Sequence, residues 1–161
     1  MNNALLVEQT KIVVGLPPRT PSSSTPDYVS MKNYTHLTAI ITVDNGATVT
    51  GSAITLKQAT AVAGTGEKAL SFANVWANTD IDAGDTLTKT AVTSDTFTTD
   101  TTDAKNLQYV IEVDAADLDT ANGFDCVRIG TGNAANTVLS VVYVLSGARY
   151  ADETPPSAII D

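Results

Sequence analysis

The sequence predicts an all-β chain folded as a β-sandwich, and three observations carry that expectation. Hydrophobic residues make up 43% of the 161 positions and charged residues only 17%, so the surface must be covered by threonine, serine and asparagine. Threonine is β-branched and fits a half-buried pleated face, whereas the strong helix formers Glu, Lys, Arg and Gln are scarce. Several runs alternate apolar and polar residues with period two, and each run is short and bounded by Gly, Asn, Asp, Ser or Pro. The length suits one domain that buries a core without disulfides or metals.

Taken in order, residues 5–14 alternate loosely and could form a strand, in the chain's own sheet or added to a neighbour's. Residues 16–34 hold Pro17, Pro18, Pro21 and Pro26 with three serines between them, which forbids helix and central strand and predicts an extended arm or loop. Residues 36–43 place Leu37, Ala39, Ile41 and Val43 on one face and Thr38, Ile40 and Thr42 on the other, and stop at Asp44-Asn45-Gly46. Further strands are expected over residues 53–59, 70–77, 86–92, 96–98, 107–113, 124–129 and 138–145, the last nearly all apolar and so expected to lie centrally. Residues 115–121 suit a single helical turn, with Asp114 as N-cap and Asn122-Gly123 as stop. About seven to nine strands with frequent turns point to a sandwich, with a jelly roll as first choice of topology and an immunoglobulin-like order left open. Pro155 and Pro156 deny regular structure to the C-terminal end. The expected organisation is an N-terminal arm with a possible edge strand over 1–34, a sandwich over 35–149 and a tail over 150–161.

The formal net charge of −9 disfavours nucleic acid and anionic lipid, because phosphate contacts need clustered Lys or Arg. Residues 4–7 form a short apolar run that ends at Glu8, and no apolar stretch approaches the roughly 20 residues of a membrane span, so a soluble protein is expected. Catalytic equipment is sparse. The single histidine, His36, and single cysteine, Cys126, could only form a dyad, and Cys126 sits in an alternating run where a small buried thiol is the simpler reading. One Cys and one His cannot assemble a zinc site. The acidic stretches 80–85 and 114–119 lack the EF-hand spacing and are read as solvated loops. Gly130-Thr131-Gly132 lacks the third glycine of a dinucleotide loop, and Gly64-Thr65-Gly66-Glu67-Lys68 lacks P-loop spacing, so both are read as turns. Paired carboxylates for sugar cleavage have no aromatic cluster around them, and Trp76, alternating with Phe72 and Asn74, is assigned to core or sheet packing. The sequon Asn33-Tyr34-Thr35 is read as chance. The expectation is a protein that is no enzyme and needs no cofactor.

Five segments carry a family resemblance: residues 11–18 (KIVVGLPP), 27–34 (DYVSMKNY), 51–59 (GSAITLKQA), 124–128 (FDCVR) and 147–150 (GARY) leading to 155–159 (PPSAI). Together, over nearly the whole chain, they resemble small virion structural proteins of tailed bacteriophages. The resemblance implies a virion component made in the bacterial cytoplasm and placed on the outer capsid surface as a decoration, or cement, protein. Its implied partners are the major capsid protein and further copies of itself, a trimer being favoured from three-fold capsid positions. A tail or head-tail connector subunit, a receptor-binding module and, more remotely, a carbohydrate-binding sandwich are the alternatives. The resemblance carries over no catalytic residue. On the arm reading, partner contacts are expected from Leu16, Pro17, Pro18, Arg19, Pro21, Pro26, Tyr28, Tyr150, Pro155, Pro156 and Ile159, because linked extended arms gain contact area and avidity.

Overall fold

The computed structural model of the chain describes residues 5–21, 25–149 and 154–160. Its strands are β1 (Lys11–Arg19), β2 (Val29–Ser30), β3 (His36–Asn45), β4 (Ala53–Ala59), β5 (Lys68–Ala69), β6 (Asn74–Asn78), β7 (Thr88–Ala91), β8 (Thr96–Thr98), β9 (Asn106–Asp114), β10 (Cys126–Gly130) and β11 (Thr137–Ser146). They form two antiparallel sheets: β1-β11-β3-β9-β6-β7 and β2-β10-β4-β5, with β8 also on β4. The chain is therefore an all-β sandwich.

Without the β6–β7 hairpin, the two orders are those of a jelly roll. The two halves of the chain pair as one long antiparallel hairpin, β1 with β11, β2 with β10, β3 with β9, and β4 with β5 and β8, rolled so that successive strands switch sheets. An immunoglobulin order would set its first two strands side by side in one sheet. Here β1, β2, β3 and β4 alternate between sheets, which excludes it.

The long strands carry the core. β3 and β11 pair over all ten residues, and their inward positions Leu37, Ala39, Ile41 and Val43 face Leu145, Tyr143, Val141 and Leu139, every one fully buried. β9 adds Leu107, Tyr109, Ile111 and Val113, and the second sheet closes over them with Ile54, Leu56, Val127 and Ile129. Each fully buried aliphatic side chain stabilises the fold by roughly 1.5–3 kcal/mol.

Several local expectations change. The strand expected over 5–14 begins later, after one helical turn, α1 (Leu6–Gln9), and β1 runs through Pro17 and Pro18 to Arg19. Proline is tolerated there because β1 is an edge strand, with register shifts between Val14 and Leu16 and between Leu16 and Arg19. The strand expected over 70–77 is shorter and starts later, as β6 over Asn74–Asn78, because residues 70–73 cross the sandwich from β5 in one sheet to β6 in the other. The helical turn over 115–121 is two 3-10 turns, Ala115–Asp117 and Thr120–Asn122. Asp117 Oδ2 accepts the Asp114 N–H at 3.0 Å, and Gly123 closes the second turn at φ 80°.

The expected division at residue 34 is not visible in the packing. Leu16, Val29, Met31 and Tyr34 belong to the same core as β3, β9 and β11. At the other end, Ala158 is fully buried and accepts the Ser30 N–H at 2.7 Å, while the Tyr34 hydroxyl donates to the Pro156 carbonyl. Leu16, residues 29–34 and the segment 155–158 thus belong to the sandwich, while Leu5, Leu6, Val7, Ile159 and Ile160 stay exposed. Prolines forbid helix, but they do not forbid an edge strand or a segment whose carbonyls are used as acceptors.

Candidate functional site

Pairing registers align the outward residues of the six-stranded sheet into rows. One row runs Val14, Val142, Ile40, Val110, Trp76 and Lys89, crossing all six strands. Five of its six members are apolar, where a solvated sheet face would alternate to polar residues. Val14 is 56% and Trp76 38% exposed, and the row between them is half-buried by its neighbours. The adjacent row starts with Ile12 and Val144 before turning polar at Thr38 and Glu112. Leu5, Leu6 and Val7, at the start of the described chain, are each more than 60% exposed as they lead into β1. Contiguous apolar surface of this kind marks interaction sites.

One end of the same face is ionic. His36 Nδ1 lies 2.7 Å from Asp114 Oδ1 and Nε2 2.6 Å from Glu112 Oε2, which also accepts the Thr38 hydroxyl at 2.7 Å. Two carboxylates on opposite ring nitrogens are both satisfied only by imidazolium, which has two donors. The Asp114 hydrogen bond raises the His36 pKa, partial burial opposes it, and Glu112 adds to the rise. A raised folded pKa means that the stabilisation is complete below the unfolded value near 6.5 and is lost as pH rises through the folded value. Nuclear magnetic resonance titration of the His36 ring should give a pKa above 6.5, and the double substitution Glu112→Gln with Asp114→Asn should bring it back towards 6.5.

Where the β6–β7 hairpin extends the jelly roll, an open cleft of about 580 Å³ forms. Leu56, Leu70, Phe72 and Val113 give it an apolar floor, and Asn74, Trp76, Lys89, Glu112 and Asp117 stand around it. The Lys89 ammonium lies 5.7 Å from the centre of the Trp76 ring.

The second sheet carries an ion-pair node. Glu67 accepts from Lys57, from the Tyr28 hydroxyl at 2.5 Å and from Arg128 Nη2 at 2.7 Å. Burial alone would raise the Glu67 pKa, but the hydrogen bonds from Lys57 and Tyr28 and the Arg128 charge outweigh it and hold it low. Burial, then the Glu67 hydrogen bond, pushes the Tyr28 phenol well up. Lys68 pairs with Asp119 and stands 4.0 Å above the Phe124 ring. This node ties β4, β10 and their loops together.

Of the residues expected to meet partners, Pro17, Pro18, Arg19 and Ile159 are exposed and Pro156 is half-buried. Leu16, Pro21, Pro26, Tyr28 and Pro155 are buried within the chain, and Tyr150 lies outside the described residues. The Tyr28 ring is held under Arg128, at 4.8 Å, and its hydroxyl is bound to Glu67. His36 and Cys126 are not brought together: Cys126 is buried on β10 of the other sheet. The acidic loops use their carboxylates locally, Asp80 with Lys105 at 3.1 Å, Asp82 with the Asn106 amide at 3.1 Å, and Asp119 with Lys68 and Asn122. Trp76, assigned to packing, stands at the cleft with its ring partly open to solvent. The apolar row was not read from the sequence, although Val138, Val142 and Val144 on the outward parity of β11 carry its signal.

No family model matches the chain, and no curated protein matches it. Among solved structures it is similar to the SPBc2 prophage-derived protein YomS, with a TM-score of 0.46 and 16% identity over 85% of this chain and 93% of that one.

Proposed function

We propose that this chain is a non-catalytic structural protein of a tailed-phage virion that decorates the outer capsid surface and reinforces contacts between major capsid subunits. The observation that carries this reading is the apolar row on the outer face of the six-stranded sheet, continued by Ile12 and the exposed turn at Leu5, Leu6 and Val7. An apolar strip bordered by Thr38, Glu112 and the ion pairs of His36 has the make-up of a protein interface, dry at its centre and polar at its rim. The segments that resemble phage virion proteins supply the setting, and the acidic balance keeps such a subunit apart from packaged DNA.

Contact moves, on this reading, from the arms to the sheet face. Among the residues first expected to bind, the exposed Pro17, Pro18 and Arg19 remain at its border on β1. The subunit acts as a homotrimer, which repeats the face at three-fold positions and multiplies weak contacts.

Co-sedimentation with shells of the cognate major capsid protein tests the proposal. Val14→Asp should weaken binding by at least roughly tenfold, since it places a charge in the row, while Ala63→Asp, in the loop that joins β4 and β5 of the other sheet, should leave binding unchanged. Both positions are solvent-exposed, so circular dichroism should show both variants folded, and sedimentation velocity reads the trimer. Wild-type protein that stays in the supernatant, or a Val14→Asp variant that pellets like wild type, would overturn the assignment.

A further inference from the structure

We propose that the cleft beside Trp76, at the β6–β7 end of the apolar row, is a binding site for a neutral saccharide, an activity of the free subunit that goes beyond the attachment proposed above. A sugar ring presents a patch of C–H groups on one side and hydroxyls around its rim. A site for it needs an aromatic face and a few fixed polar groups, set in a concave surface of some hundreds of Å³. The cleft, of about 580 Å³, meets each requirement.

Trp76 supplies the aromatic face. It is the chain's one tryptophan, it is 38% exposed, and Phe72 continues the apolar surface from the crossover between β5 and β6. Asn74 lies two residues from Trp76 on the same strand, hence on the same side of the sheet, and its amide can both donate and accept.

Two carboxylates complete the rim, and both are already oriented. Glu112 is held through Oε2 by His36 and Thr38, and Asp117 through Oδ2 by the Asp114 N–H, so Oε1 and Oδ1 can accept from ligand hydroxyls. Fixing one oxygen of each group aims the other without a further ordering cost.

The charges select the class of sugar. Two carboxylates against the one ammonium of Lys89 disfavour phosphorylated, sulfated and uronic ligands, so the occupant is uncharged. Lys89 itself competes for the ring, because its ammonium stands over Trp76 at 5.7 Å from an exposed strand. A wholly aliphatic occupant would use the floor and leave Asn74, Glu112 and Asp117 without partners. The cleft is open to solvent, so an oligosaccharide can run through it.

The single tryptophan makes the test direct. The isolated protein would be titrated with neutral glucose, galactose, mannose and N-acetylglucosamine oligosaccharides, read by intrinsic fluorescence and by calorimetry. We expect saturable binding of at least one series, lost by roughly tenfold or more in Trp76→Ala and in Asn74→Ala, and kept or tightened in Lys89→Ala. Free monosaccharides should bind more weakly than the matching oligomer, and circular dichroism would verify that each variant folds. Flat heats across the panel at millimolar concentration would overturn the proposal. So would binding indifferent to both Trp76→Ala and Asn74→Ala, tighter binding of an anionic glycan, or occupation by an apolar dye alone. No capsid enters the experiment, so its outcome and that of the co-sedimentation assay are independent.

Discussion

Replacing Tyr143 with alanine should destabilise the fold more than any other single truncation of an inward strand residue. The ring is fully buried on β11, and removing a large buried aromatic costs about 3–5 kcal/mol through lost transfer energy and the cavity left behind. Its hydroxyl also joins the two sheets, accepting the Ile129 N–H of β10 at 2.9 Å and donating to the Asp27 carbonyl at 3.3 Å. Burial raises the phenol pKa far above its ordinary value, so this donor stays protonated at any working pH. Tyr143→Phe separates the two contributions: it keeps the ring and orphans the Ile129 N–H, at a cost of about 1–3 kcal/mol. In a chain of this length, a loss of about 3–5 kcal/mol corresponds to a drop in melting temperature of roughly 6–20 °C. Calorimetry should place Tyr143→Phe between wild type and Tyr143→Ala. A Tyr143→Phe variant as stable as wild type would show that the hydroxyl is not a working link between the sheets.

The second large effect is expected at Gly15, which lies where β1 slips register between Val14 and Leu16 and rests against the Tyr143 ring. A methyl group added there would overlap Tyr143 Cε2 and stand 2.9 Å from Cδ2, closer than real side-chain contacts allow. Gly15→Ala should therefore cost about 1–3 kcal/mol of overpacking, because neither the edge strand nor the anchored ring can yield freely. The same substitution in a Tyr143→Leu background should cost measurably less, since the atoms it strikes are gone. The pair is then non-additive by about 0.5–3 kcal/mol in a double-mutant cycle read by urea unfolding. Strict additivity would mean that β1 moves aside without strain, and the edge strand would be looser than its pairing with β11 implies.

These two sites show which parts of the molecule were legible in advance. Strands such as β3, β4, β9 and β11 announce themselves because each buries one parity of its residues and ends at a turn, so period and punctuation agree. β2 and β5, two residues each, carry no period at all, and the run expected over 70–77 starts ahead of β6 because the alternation of Leu70 and Phe72 in the crossover continues that of Asn74 and Trp76. Pro17 and Pro18 were rightly read as incompatible with helix and central strand, yet they allowed both an arm and an edge strand. The choice depended on β11 being there to pair with β1. The nearly continuous apolar run of β11 predicts a central strand. β11 does lie between β1 and β3, and the partners that cover its inward face leave its outward residues Val138, Val142 and Val144 on the sheet's outer side, partly exposed.

What the sequence determined by itself was the class of the fold, the positions of its long strands and the inward faces that form the core, because these follow from residue type and local spacing. The tertiary structure alone decided the jelly-roll order, the docking of Leu16, Tyr34 and Ala158 into the core, the apolar row and the cleft at Trp76. Each of these depends on which strand lies beside which, a property of long-range pairing that no local period encodes. Val14, Val142, Ile40, Val110 and Trp76 are scattered over more than a hundred residues, and only the register of five strands places them in one line.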